Sequence, residues 1–316
     1  MKILVSGSSG LVGTAVVETL ARDGHTVCRL KRPENGTRPN KQFAAAAGGS
    51  RASEPTVRWD PVSGNFDAAS AEGADAVVHL AGASIAQGRW NSARKRVLRS
   101  SRVDATRHLV SALSKLARPP QLIVAAAAIG YYGDCGDEEL TEQSAPGTDF
   151  LAMLARDWEA EAARAEQFGA RTVMLRFGVV LSTRGGALPR MLPPFRMGVG
   201  GRLGSGKQWM SWLTLDEAVG LVRHALGNPQ VRGPVNAVAP NPVRNEDFTR
   251  ILGRVLHRPT IFPVPAAALR LLLGEMAEAL LLSSQRVLPA KLKALGYSFL
   301  QPELEPALNA LLRHAV

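Results

Sequence analysis

Gly7, Gly10 and Gly13 stand at equal spacing directly after an apolar run, Ile3-Leu4-Val5. Behind them Leu11, Val12, Ala15, Val16 and Leu20 recur with helical periodicity. Strand, tight glycine turn and helix, in that order, suit one piece of chemistry, the binding of a diphosphate. Gly7 permits the turn. Gly10 lets backbone N–H groups approach the phosphates at the helix N-terminus, and Gly13 lets helix and strand pack closely. Ser9, Leu11 and Val12 belong to the same stretch and are candidate contacts with the glycines. An ordinary βα turn shares the spacing; the flanking strand and helix are what favour dinucleotide binding.

A second signal follows at Lys31-Arg32, the end of the next strand, where no Asp or Glu stands. An acidic residue there binds a ribose 2′-OH, whereas a basic one accommodates a 2′-phosphate. The pair points to NADP(H), with a plain surface pair as the alternative. Far along the chain, Arg202, Lys207, Trp209 and Trp212 combine cations with indoles. Lys207 and Arg202 would pair with phosphate, and Trp209 or Trp212 would stack on a ring. Packing between domains is the competing role for both tryptophans.

These residues need a scaffold. Further strands are expected at Thr26–Leu30, Thr56–Trp59, Asp75–Leu80, Gln121–Ala128, Arg171–Val180 and Pro234–Ala237. Helices are expected at Ser92–Leu116, Asp149–Phe168 and Leu215–Leu226, and another opening on an N-cap at Asn245. Alternation of this kind implies a parallel, doubly wound α/β sheet. Ala81-Gly82 leaves the fourth strand on small residues, which let backbone approach a ligand. Pro33–Pro55 lacks periodicity and reads as a mobile excursion, and Gly185–Gly206 as a long loop that is functional or mobile.

With 316 residues, 46% hydrophobic and 21% charged, the chain can bury a large core and is not disordered. Cys28 and Cys135 form no CxxC pair, so neither a disulfide framework nor a metal site is expected. No leader and no convincing membrane span is visible, and a cytoplasmic location is expected. The net charge of +11 favours anionic ligands. The cluster Arg89–Arg107 carries no nucleic-acid motif and reads as a solvated helix face, so nucleic acid is not the expected partner.

The segments SGSSGLVG, WDP, HLAGASIAQGRW, SRVDAT, GYYGD, DWEAEA, LRFGVVLSTRGGAL, GVGGRLGSGKQWMSWLTLDE, GPVNAVAPNPVRNEDF and LPAKLKALGYSF fit one pattern in order. It resembles the epimerase-like family of extended short-chain dehydrogenase/reductases. Members are usually described as nucleoside-diphosphate-sugar epimerases, and some as cell-division inhibitors. The resemblance implies a Rossmann domain over residues 1–180, with 213–240 returning to it. A smaller, mostly helical substrate-side domain would come from 181–212 and 241–316. It implies NADP(H), lined by Leu80, Ala81 and Gly82, with Arg102 at its phosphates and Val179 and Val180 near the nicotinamide. A small polar, nucleotide-linked substrate is implied as well.

The catalytic machinery departs from that pattern. The superfamily uses Ser or Thr after the fifth strand and a Tyr-x-x-x-Lys pair on the next helix, the lysine lowering the tyrosine pKa. Here Ala125–Ala128 offers no hydroxyl, and the helix from Asp149 has no such pair. Tyr131 is the nearest replacement, with Tyr132 beside it; Arg176 would hold an anion or form a buried pairing. Two functions remain open, an oxidoreductase or epimerase with rearranged residues and a non-catalytic NADP-sensing protein.

Overall fold

The computed structural model describes residues 1–32 and 55–313. Apart from Pro55, the excursion expected at Pro33–Pro55 lies outside them. Seven strands form one parallel sheet: β1 (Lys2–Ser6), β2 (Thr26–Lys31), β3 (Thr56–Arg58), β4 (Ala76–His79), β5 (Leu122–Ala128), β6 (Arg171–Phe177) and β7 (Gly233–Ala237). Their order is β7-β6-β5-β4-β1-β2-β3. The chain leaves β1 in one direction for β2 and β3, then crosses back to β4 and beyond. The switch point therefore falls between β1 and β4, where doubly wound sheets open a ligand crevice.

Strand periodicity builds two cores from one sheet. Ile3, Val5, Val78, Val124 and Leu175 face one side, under helices α1 (Leu11–Arg22) and α6 (Leu215–Gly227). Leu4, Val77, Ile123 and Met174 face the other. That side is covered by α3 (Ala105–Leu113) and α4 (Phe150–Ala163), while α2 (Ser92–Arg99) buries Leu98 in a cluster with Leu151, Leu154 and Trp158 of α4. The single helix expected at Ser92–Leu116 is α2 and α3 joined by a π-helical stretch, Ser100–Asp104.

The strand expected to run to Val180 breaks at Gly178. A Cβ there would lie 2.6 Å from the Ser211 carbonyl oxygen, so the chain can pass only without a side chain. Val179–Leu181 then pairs in parallel with Trp212–Thr214. The expected loop Gly185–Gly206 contains a helix, α5 (Leu188–Arg196), despite Pro193 and Pro194 inside it. Leu188, Leu192 and Phe195 bury with Trp212, with Phe248 and Leu252 of α7 (Asn245–Leu256), and with Leu304 and Leu308 near the C-terminus. This is a smaller, largely helical core beside the sheet. Asn245 is the first residue of α7 rather than its cap; its Oδ1 accepts from Leu203 N at 2.8 Å, tying down the glycine-rich segment. Among the described residues, no helix is long and apolar enough to cross a membrane.

Candidate cofactor and substrate site

The glycine turn lies at the switch point. Gly7 has φ +66°, and a Cβ on it would stand 2.6 Å from the Leu80 carbonyl group. A Cβ on Gly13 would stand 2.1 Å from the Gly7 oxygen. Both glycines are required for the backbone to close. Gly10 is different: it is exposed, and a Cβ would meet only the Gly7 oxygen, at 3.3 Å. Its missing side chain leaves open the space in front of α1. That N-terminus has no side-chain cap, whereas Asn91, Asp149 and Thr214 cap α2, α4 and α6. The first N–H groups of α1 are thus left for an external acceptor, which fits a diphosphate. Ser9 is exposed, and Leu11 and Val12 are half-buried over the first core.

Leu80 and Val180 pack against that same core, so they converge with Leu11 and Val12 on one wall of the crevice. Val179 faces the smaller, largely helical core instead. Ala81 and Gly82 follow Leu80. A Cβ on Gly82 would lie 3.3 Å from the Arg102 guanidinium carbon, so Arg102 does reach this loop. Behind it runs a buried chain that sequence inspection missed. Ser6 Oγ accepts from Leu80 N at 3.2 Å and lies 2.6 Å from His79 Nδ1. His79 Nε2 lies 2.9 Å from Thr106 Oγ1, which also accepts from Trp158 Nε1 at 3.0 Å. Burial pushes the His79 imidazole down to about 4, so it is neutral at physiological pH. A lone His and a Ser at the ends of adjacent strands were the available signal.

Lys31 and Arg32 are exposed at the end of β2. The sequence shows no acid at that strand end, but the next strand brings Asp60 into electrostatic range of Arg32. Asp60 is itself occupied, accepting from Ser63 Oγ at 2.6 Å and Val62 N at 3.0 Å.

At the end of β5, Ile129–Tyr132 forms a 3-10 turn. Arg176 does not offer itself to a substrate anion. It is 2% exposed, and its Nε and Nη2 donate to the two Glu159 oxygens at 2.7 Å. Its Nη1 donates to Tyr132 Oη at 2.8 Å. Burial alone would lower its pKa; the hydrogen bonds and charge of Glu159 outweigh that and hold it above the usual arginine value. Tyr132 Oη donates to Asn236 Oδ1 at 2.6 Å, and burial pushes this phenol up to about 12 despite Arg176. Tyr132 is therefore structural. Tyr131 packs its ring face against Arg176, 3.5 Å from centroid to guanidinium, and its hydroxyl makes no hydrogen bond among the described residues. Ala126, inside β5 near its end, packs against the apolar cluster that holds Leu151, Leu154 and Trp158, so this end of the strand is lined by apolar groups.

The expected aromatic pair separates. Trp212 is fully buried, with Nε1 donating to Asn241 O at 3.1 Å, so it is part of the smaller, largely helical core and not a stacking surface. Trp209 is half-buried between two guanidinium groups, Arg244 at 4.8 Å and Arg286 at 4.7 Å from its ring. Its Nε1 donates to Asp137 Oδ1 at 2.8 Å, which Arg244 also contacts at 3.0 Å. Lys207 is exposed, and its carbonyl oxygen accepts from Arg244. Arg244 and Arg286 were not singled out from sequence; only their position beside Trp209 in space reveals them.

The NAD dependent epimerase/dehydratase family matches residues 3–238, and a domain of unknown function matches 264–311. An epimerase family protein of Mycobacterium bovis is 40% identical over 297 residues, covering 94% of this chain and 93% of its own. The crystal structure of the human epimerase family protein SDR39U1 with NADPH superimposes with a TM-score of 0.83 at 33% identity, over 99% of both chains. A Bacillus cereus UDP-glucuronic acid 4-epimerase in complex with NAD shares the fold, with a TM-score of 0.76 over 99% of this chain and 98% of its own, at 17% identity.

Proposed function

The chain belongs to the NAD dependent epimerase/dehydratase family, and from that premise we propose that it is an NADP(H)-dependent oxidoreductase or epimerase acting on a small, phosphate-bearing substrate of the nucleotide-sugar kind. The observation that carries the cofactor reading is the uncapped α1 N-terminus beneath open space at Gly10, with exposed Lys31 and Arg32 at the end of β2. In this reading Ser9, Leu11, Val12, Leu80, Ala81, Gly82, Arg102 and Val180 line the cofactor. Residues 1–180 with 213–240 hold it, and 181–212 with 241–316 face the substrate. The NADPH in the human relative supports the phosphate-bearing cofactor. Lys207, Arg244 and Arg286 around Trp209 supply cations and an indole for the substrate. The unpaired Cys28 and Cys135 fit a reducing compartment such as the cytoplasm.

Tyr131 is the residue proposed to exchange a proton with the substrate, because its hydroxyl has no hydrogen-bond partner among the described residues. A second reading, an NADP-sensing regulator, is favoured by the apolar lining at Ala126 and by the structural commitment of Arg176 and Tyr132. Two measurements decide. Titration calorimetry should give NADPH a preference of about tenfold to a hundredfold over NADH, the worth of one charge-assisted phosphate contact. Equal affinities would count against the cofactor reading. With a panel of nucleotide sugars, Tyr131→Phe should lower kcat by at least about a hundredfold with NADPH affinity unchanged. Absence of turnover in the unaltered protein across the panel would favour the sensor.

A further inference from the structure

Three guanidinium groups from two segments, the helical run of α2 and its π-helical continuation and the helix α5, meet on the loop after β4. Arg102 Nη2 donates to Ala83 O at 3.0 Å, Arg94 Nη2 to Ser84 O, and Arg190 Nη1 to Ala86 O at 3.2 Å. Trp90 Nε1 fills the remaining place, on Ile85 O at 3.0 Å. Successive peptide carbonyls are thus all turned toward cationic or indole donors.

Carbonyl dipoles hold these groups without neutralising them. On the same helical run, Lys95, Arg99 and Arg107 pair with Glu275, Asp157 and Glu161. Arg94, Arg102 and Arg190 have no carboxylate within ion-pair distance among the described residues. Arg94 Nε is buried and has no hydrogen-bond acceptor among the described residues. Burial, and after it the charge of Arg94, pushes Arg102 down to about 10, which still leaves it protonated at neutral pH. A guanidinium has five donors, and these arrangements use one to three of each.

The placement is also specific. The loop starts at Leu80, against the glycine turn. The segment carrying Arg190 begins on α1, with Arg184 3.6 Å from Glu18 and Gly186 against Leu11. It ends on Ala86, and so spans the crevice mouth from the α1 side to the β4 side.

We propose that Arg94 and Arg190 join Arg102, already read as a cofactor contact, in a phosphoryl-binding cradle on the loop after β4. It rests on reading that crevice as the ligand site. The phosphoryl group belongs either to the cofactor or to a nucleoside diphosphate portion of the substrate.

The test titrates inorganic pyrophosphate, then NADPH, then uridine diphosphate with NADPH present. Three proteins are compared: the unaltered chain, Arg94→Gln/Arg190→Gln, and a charge-matched control, Arg223→Gln/Arg254→Gln, whose guanidiniums pair with Asp23 and Glu305. Pyrophosphate affinity should fall at least about tenfold per guanidinium removed, and should hold in the control. Lost NADPH affinity then assigns the cradle to the cofactor; lost uridine diphosphate affinity with NADPH intact assigns it to the substrate. Equal pyrophosphate affinity in cradle variant and control overturns the proposal, as does no pyrophosphate binding by the unaltered chain. If the Gln variant fails to fold, Arg94→Lys/Arg190→Lys keeps the charge and loses the fork; undiminished pyrophosphate affinity there overturns it too. The pyrophosphate arm stands apart from the NADPH-over-NADH preference, so the cradle and the cofactor reading can fail separately.

Discussion

His79 is fully buried between Ser6 and Thr106, in a T-shaped contact with Trp59 at 5.8 Å, and no carboxylate accompanies it among the described residues. Its folded pKa of about 4 lies below the unfolded value near 6.5. The sign follows from proton binding. Between those values the unfolded chain holds the proton and the folded chain does not, so stability is complete above about pH 6.5 and declines as pH falls. The slope is about 1.4 kcal/mol per pH unit until the folded pKa is reached, or roughly 2 kcal/mol between pH 6.5 and 5. Urea unfolding at pH 7 and pH 5 should show that loss. His79→Gln should start less stable, because the chain to Leu80 N is disturbed, but should lose much less over the same interval. Parallel slopes in the two proteins would refute the assignment.

At the scale of elements, the glycine turn separates folding from binding. Gly10 has φ −79° and ψ 172°, extended backbone that any residue adopts, and a Cβ on it would meet one atom, the Gly7 carbonyl oxygen, in a close contact of 3.3 Å that a small backbone shift relieves. Gly10→Val should therefore fold, with a melting temperature within a few degrees of the unaltered protein, yet lose about a hundredfold or more in NADPH affinity by filling the phosphate space. Gly13→Ala drives a methyl into the Gly7 oxygen and should cost about 2–3 kcal/mol in unfolding free energy, whatever ligand is present. The sheet was legible because Ile3–Val5, Ala76–Val78 and Leu122–Val124 are short apolar runs flanked by turn residues. The helix α5 was not. Its buried Leu188, Leu192 and Phe195 follow helical spacing, but Pro193 and Pro194 mask it, and packing on Trp212 and Phe248 overrides propensity. Asn245 looked like a cap because its residue type is right. The short pairing of Val243–Arg244 with Trp209–Met210 places it one residue inside the helix. Nor could spacing reveal the Arg176 ion pair, since Glu159 reaches it from another element, or bring Arg190 to Ala86 across 104 residues.

For the whole molecule, the question is what returns the C-terminal chain to the sheet after it has built the smaller helical core. Arg286–Val287 pairs in parallel with Glu139–Leu140, and Lys291 Nζ then donates to Arg232 O at 2.9 Å and Pro234 O at 2.6 Å beside β7. The decisive group is Glu217 on α6, fully buried. Its Oε1 accepts from Tyr297 Oη at 2.7 Å, and its Oε2 accepts from Leu300 N at 2.8 Å and Gln301 N at 3.1 Å. Burial, and after it the hydrogen bond and charge of Glu217, keep the Tyr297 phenol well above its ordinary value, so it is always a donor here. Gly220 makes room: a Cβ there would lie 2.9 Å from that hydroxyl. Glu217→Ala strands a phenol and two backbone N–H groups in a buried site, and should cost about 3–5 kcal/mol, a large share of a typical domain's stability. Tyr297→Phe leaves Glu217 its backbone donors and should cost only about 1–2 kcal/mol. Because both changes touch one network, the double variant should be less destabilised than the sum of the singles, by at least about 0.5 kcal/mol. Urea unfolding of the four proteins measures all three quantities. A Glu217→Ala cost below about 1 kcal/mol, or strict additivity, would mean that the C-terminal chain is held by apolar packing around Tyr297 and Phe299 and not by this carboxylate.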